Sequence, residues 1–250
     1  MGEDPGMTRG GHELILIPWH IGNRRDVTLS TARAARDMRL FLAEEPEATK
    51  RMFISDLGID CRGKEFLAIP EKEDEPFLNA VRSRLGAEDV GLICSGGVPC
   101  FLDPGAWLVR RLRAQDVPIT ALAGASILST MLSLSGLEWA VEQNRGTFAF
   151  YLDGPSRKDI LEAVRRKDEP VFVFLGVAQF RECLEFIGPV VAGRLVTAFF
   201  DLTKRPKSKF PYADRVMTMD PGDWLKEAPG IRWNEVSDVA LMIHPSAPEA

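Results

Sequence analysis

With 250 residues, of which 45% are hydrophobic and 27% charged, the chain is long enough for one large or two modest domains with a real core. Its formal net charge of −5 argues against a protein that coats nucleic acid non-specifically, while leaving room for a local basic groove. No apolar run reaches the length of a membrane span and no charged-then-apolar leader precedes a small-residue cleavage site, so a cytoplasmic setting is expected.

The opening MGEDPGMTRGGH is polar and glycine-rich and reads as a disordered tail over residues 1–12. ELILIP (13–18) has the pattern of a short buried strand. After the loop WHIGNRR, Asp26 is expected to cap a helix through VTLSTARAARDM. LFLAEE (40–45) reads as a second strand. PEATKRMFISDLG reads as a helix with Pro46 at its first position and Gly58 at its end. KEFLAIP is a further strand, EKEDEP a charged connector and FLNAVRSRLG a helix. VGLICS, the loop SGGVP, a helix, ITALA, the loop GAS and the helix SILSTMLSLSG complete this half.

Alternating strands and helices imply right-handed crossovers and a mostly parallel sheet, whose ligands bind beyond the carboxyl ends of the strands. Three glycine-containing loops, at 21–23, 95–99 and 123–126, follow apolar runs and are placed to share that edge. The second half has a different rhythm. FAFYLDG, PVFVFLG, GRLVTAFFDL, DRVMTMD and VSDVALMI read as strands, some without a helix between them, which points to a mixed sheet. Two α/β domains are therefore expected, over 13–122 and 123–250.

Each chemistry-bearing stretch has a plain structural reading beside a functional one. In CSGGVPCFLDPG, Asp103 suits a helix cap and Pro104 a first turn, while Gly96 and Gly97 supply positive φ. The loop lacks a Gly-Lys-Ser/Thr ending, and no G-x-G-x-x-G follows the first strand, so a phosphate cradle is not expected. Its exposed main chain remains available to a small polar ligand. His20, Asn23, Arg24 and Arg25 share the first loop, either as solvated groups or as contacts to an anionic substrate. Glu44 and Glu45 end a strand, as helix-start charges or as a base. TKRPKSK (203–209) reads as a solvated loop or as a contact to an RNA backbone. Cysteines at 61, 94, 100 and 183 match neither a zinc pattern nor a C-x-x-C pair, and the three histidines lie far apart, so no metal site is expected.

Taken together, the three loops resemble the tetrapyrrole methylase-like superfamily, the class III S-adenosylmethionine-dependent methyltransferases. Within it the likeness is to enzymes that methylate a cytidine 2′-hydroxyl in small-subunit ribosomal RNA. IPWHIGNRRDVT stands where they carry P-x-P-I-G-N-L-x-D-I-T, SGGVPCFLDPG where they carry S-D-A-G-T-P-x-x-S-D-P-G, and AGASILSTMLSLSGL where they carry P-G-P-S-A…S-G-L. The chain departs from the pattern at Gly96 and Val98, at EEPE for E-D-T-R, and at FLGVAQFR for Y-E-S-P-x-R, as a divergent member would.

The resemblance implies a two-domain class III methyltransferase fold, a mostly parallel N-terminal sheet and a mixed C-terminal one with a cleft between them, commonly in a homodimer. Carried over by position, the donor S-adenosylmethionine would touch Ile21, Gly22, Gly97, Val98, Phe101, Ser126 and Ile127. Leu175, Val177, Asp201, Leu202 and Thr203 would complete its adenosine pocket. Glu44 is the candidate base, with Lys204 or Arg24 offering charge to the acceptor. The acceptor is expected to be RNA. Other readings are a tetrapyrrole or another small polar molecule, or a catalytically silent protein that binds the donor.

Overall fold

The computed structural model describes residues 11–101, 103–138, 145–151, 154–191, 193–205 and 211–246. Most of the tail expected over 1–12 lies outside them. The chain divides between Ser126 and Ile127 into two compact units.

In the first unit the apolar runs become five strands: β1 Leu14–Ile17, β2 Leu40–Ala43, β3 Glu65–Ala68, β4 Val90–Ile93 and β5 Ile119–Ala121. Helices α1 Leu29–Asp37, α2 Pro46–Leu57, α3 Glu75–Leu85 and α4 Ala106–Arg113 connect them. The strand order is β3-β2-β4-β1-β5, and every pair in it is parallel. Side chains alternate across a strand, and both faces of this sheet are covered. Leu40 and Leu42 point to the side packed by Leu78, Val81 and Leu108. Phe41 and Ala43 point to the side packed by Ala35 and Phe53.

The cap expected at Asp26 is displaced. Asp26 does not start a helix; it ends a one-turn 3-10 segment and accepts a hydrogen bond from Asn23 Nδ2 at 3.0 Å. Val27 is extended (φ −67°, ψ 121°), so the helical path can begin only after it, and Thr28 Oγ1 caps α1 by accepting from the Thr31 amide at 3.1 Å. The connector EKEDEP, for its part, supplies a cap: Asp74 accepts from the Phe77 amide at 2.7 Å. Pro46 and Gly58 stand where expected, Gly58 in the left-handed region at φ 64°.

The second unit opens with α5 Ile127–Leu134. It continues through β6 Thr147–Tyr151, α6 Gly154–Arg165, β7 Val171–Leu175, α7 Phe180–Ile187, β8 Val196–Phe200, β9 Arg215–Met219, α8 Pro221–Glu227 and β10 Val239–Ile243. Its sheet is mixed, in the order β6-β7-β10-β8-β9. β6 and β7 run parallel, and β10 is antiparallel to both of its neighbours. One face packs against α6, α7 and α8 through Ile160, Val164, Phe180, Leu184 and Trp224. The Trp224 indole donates to the Val196 carbonyl at 2.7 Å, so the largest buried ring is also satisfied.

At the far end of this sheet Arg194, 4% exposed, donates to three backbone carbonyls: His244 O at 2.5 Å, Val164 O at 2.7 Å and Glu169 O at 3.1 Å. Beside it, His244 Nε2 lies 2.7 Å from Thr197 Oγ1, which lies 2.7 Å from Thr218 Oγ1. Burial, and then the Arg194 charge, hold His244 below its usual range.

Replacing the guanidinium in Arg194→Met strands these carbonyls and is expected to lower the unfolding free energy by about 2–4 kcal/mol, read from the denaturant midpoint. A loss under about 0.5 kcal/mol would show the carbonyls rehydrated instead. The native state favours neutral His244, so the unfolded chain binds the proton first as pH falls. His244's contribution is thus complete above about pH 6.5, the unfolded value, and drains away as pH falls through the lower folded one. Urea melts at pH 7.5 and 5.5 measure that slope, and His244→Gln should flatten it.

Candidate functional site

The registers fix where the loops leave the first sheet. Ile17 pairs with Ile93, Ala43 with Ile93 and Leu16 with Ala121, so β1, β2, β4 and β5 end on one edge. The three glycine-containing loops meet there. Trp19 and Gly97 exchange backbone hydrogen bonds in both directions, 2.9 Å from the Trp19 amide and 3.1 Å from the Gly97 amide. Thr28 Oγ1 donates to the Ala123 carbonyl at 3.3 Å. Gly124 lies so close to Pro18 that a Cβ there would sit 2.3 Å from the ring Cγ, which is why the third loop needs a glycine.

Of the expected donor contacts in this unit, Gly22 has φ 143° and Gly97 φ 76°, both in the region that favours glycine. A Cβ on Gly97 would stand 3.5 Å from Ile21 Cγ2, so these positions are neighbours in space. Val98, Phe101 and Ser126 are half-buried on the same edge. Glu44, one residue beyond β2, is exposed, as are Arg24 and Arg25.

Two carboxylates on this edge stand apart from the rest. Asp56, near the end of α2, accepts from Trp19 Nε1 at 2.9 Å and His20 Nε2 at 3.0 Å on one oxygen, and from Ser55 Oγ at 2.8 Å on the other. Burial pushes its carboxyl up, but the hydrogen bonds from Trp19, Ser55 and His20 outweigh that and hold it below the usual range. No motif in the sequence marks Asp56. Asp103 has the opposite fate. The expected cap is not made: Gly105, at φ 116°, occupies the N-cap position of α4, and no side chain accepts there. Asp103 instead keeps one oxygen buried with no partner among the described residues. Burial, and then the nearby Glu44 charge, push its pKa up to about 6. Cys94, expected to pack, does so; its thiol donates to the Gly97 carbonyl at 3.2 Å and burial pushes it up to about 12.

In the second unit the register aligns Leu175 and Phe200 with Val239 on either side, so β7 and β8 end together. Leu175 and Val177 are half-buried at the end of β7. Beyond β8 the chain turns through Asp201 (φ 46°) and Thr203 (φ 60°), left-handed at residues other than glycine. Asp201 is fully buried, and its Oδ1 accepts from the amides of Ser237 and Asp238, both at 3.0 Å, and from Lys204 Nζ at 3.2 Å. Lys204 also bonds Ser237 Oγ and Asp238, so its ammonium sits in a closed cluster that holds the turn. Leu202 is 5% exposed. Asp201 Oδ2 and Thr203 Oγ1 are buried without partners among the described residues. That unmet capacity fits a ligand bearing hydroxyl and amino groups, as an adenosine does. Of the TKRPKSK tract, residues 206–209 lie outside the described residues.

Residues 13–207 match the family model described as Tetrapyrrole (Corrin/Porphyrin) Methylases. The chain is 26% identical over 209 residues to a protein of Helicobacter pylori called ribosomal RNA small subunit methyltransferase I, covering 76% of this chain and 71% of that one. It is 32% identical over 126 residues to the Leptospira biflexa protein of the same name, covering 50% of this chain and 51% of the relative. The Xylella fastidiosa protein of that name is 26% identical over 201 residues, 79% of this chain and 70% of its own. Among solved structures, a diphthine synthase shares the fold at a TM-score of 0.62 and 14% identity, over 92% of this chain and 89% of that one. With a parallel and a mixed sheet in sequence and a family match over most of its length, the chain belongs to the tetrapyrrole (corrin/porphyrin) methylase family and is an S-adenosylmethionine-dependent methyltransferase of the class III fold.

Proposed function

We propose that the chain methylates RNA, at a ribose 2′-hydroxyl. The curated relatives described above, all named as ribosomal RNA small subunit methyltransferases, carry this reading. A feature of the chain supports it. Arg84, Arg110 and Arg111 are all paired with glutamates. Arg24, Arg25, Arg33 and Arg36, by contrast, are exposed and have no ion pair among the described residues. In an acidic protein, four unpaired guanidiniums within thirteen residues suit a polyanion. A cytoplasmic setting and a homodimer go with this reading, the latter measurable by sedimentation.

Ile21, Gly22 and Gly97 in the first unit, with Asp201 to Thr203 in the second, are our candidates for holding the donor. S-adenosylmethionine supplies the activated methyl on a sulfonium, and the protein must orient the acceptor and exclude water. As the hydroxyl oxygen bonds the methyl carbon and the carbon–sulfur pair returns to sulfur, the hydroxyl proton needs an acceptor. Glu44 is exposed and Lys204 is occupied in its turn. Asp103, with one oxygen unpartnered and a pKa near neutrality, is the better-placed base, with Glu44 setting its basicity and Arg24 offering charge to the substrate.

Two measurements test this. Binding of small-subunit ribosomal RNA should weaken steeply between 50 and 200 mM salt, and the double reversal Arg24→Glu/Arg33→Glu should cut affinity at least about tenfold and flatten the salt slope by about 1.4. Salt-insensitive binding of a porphyrin or corrin, without RNA binding, would favour the tetrapyrrole reading that the family's description suggests. Methyl transfer should rise with pH until Asp103 is ionised, through about pH 6, then level off. Asp103→Asn should lower turnover about 10²–10⁴-fold with binding of the demethylated donor unchanged. Wild-type turnover in that variant would remove Asp103 from the reaction.

A further inference from the structure

The chemistry of the first loop turns on one histidine that has no proton-transfer role open to it. His20 is half-buried and held at both ring nitrogens. Nε2 lies 3.0 Å from Asp56 Oδ2, and Nδ1 accepts from the Gly22 amide at 3.1 Å. A carboxylate cannot donate, so the proton resides on Nε2 and the lone pair on Nδ1. That lone pair is spent on the main chain of the same loop. An Asp–His pair with its second nitrogen committed in this way does not act as a general base; it shapes backbone.

The same Asp56 oxygen accepts from the indole of Trp19, whose ring is 1% exposed and stacked on Phe53 at 5.4 Å. The Trp19 backbone, in turn, is bonded in both directions to Gly97. One carboxylate on α2 thus fixes two consecutive side chains. The first sets the Gly97 loop and the second sets the Gly22 loop. In the motif quoted for the family, the position of His20 belongs to a proline, which would restrict the backbone through its ring; here a hydrogen bond from side chain to amide does the restricting.

We propose that Asp56 and His20 are positioning residues for the methyl donor: Asp56 selects the His20 tautomer, and His20 Nδ1 holds the Gly22 amide so that the Ile21–Gly22 and Gly97 loops keep a binding-ready shape. The inference rests on the reading that these loops contact the donor. It concerns a residue pair that touches the loop rather than the reacting atoms.

Side chains that keep one half of the histidine separate this role from general stability. Asparagine places an oxygen where Nδ1 lies and keeps the acceptor for Gly22. Glutamine reaches toward Asp56 and loses that acceptor. Calorimetric titration of the full chain with S-adenosylhomocysteine, beside thermal melts, should find His20→Asn within about threefold of wild type and His20→Gln and His20→Ala weakened at least tenfold, about 1.4 kcal/mol. The melts of His20→Asn and His20→Gln should agree, since both are small polar replacements at a partly exposed site. Equal binding by wild type, His20→Gln and His20→Ala overturns the inference and leaves the donor site standing. Equal weakening in His20→Asn and His20→Gln overturns it as well, because the Gly22 bond would then be irrelevant. A wild-type chain that binds neither donor nor product sinks the donor reading and this inference together.

Discussion

A strand paired on both sides with parallel neighbours cannot slide without breaking two ladders at once, and β1 is such a strand. Its pairing with β4 and β5 sets the level at which three loops leave the sheet. Everything at the candidate site of the first unit depends on that level. The Trp19–Gly97 backbone pair, the contact of Gly124 with Pro18 and the neighbouring of Ile21 and Gly97 all follow from strands ending in step.

Two aspartates on that edge show how the same group takes opposite roles. Asp56 receives three hydrogen bonds from neutral donors, so its charge is stabilised and its geometry fixed. Asp103 receives none on its buried oxygen and faces Glu44, so its charge is opposed. The first is tied to Trp19 and His20 of the first loop; the second keeps one buried oxygen without a partner among the described residues. Asp201 in the second unit combines the two: its Oδ1 accepts from Lys204 and two amides and holds a turn through two left-handed residues, while its Oδ2 is buried without a partner among the described residues.

The strands and most helices were legible because burial imposes a period. The alternation of Leu40, Phe41, Leu42 and Ala43 between two packed faces leaves a run that is apolar throughout, as read. Pro46 and Gly58 marked the ends of α2 because each has one backbone property that few residues share. Caps were less legible. Asp26 and Asp103 each precede a helix and each misses its cap by two residues, since an extended Val27 in one case and a left-handed Gly105 in the other reset the start. Sequence spacing carries no record of those dihedrals. Asp56 was invisible for a different reason. It sits more than thirty residues from the loop it organises, and a lone aspartate in an amphipathic helix has the same pattern as a solvated one.

The order of strands in the second unit bears on how the chain is made. β10 lies in the middle of its sheet, between β7 and β8, so the ladder that joins β6–β7 to β8–β9 exists only once residues 239–243 have been synthesised. The strands of the first unit are all present by residue 121. During translation the first unit has its full complement of partners early, while four strands of the second wait in two separate pairs for a keystone that emerges last. A pause or truncation before β10 therefore leaves the first unit able to fold and exposes the inner edges of β7 and β8 to other chains.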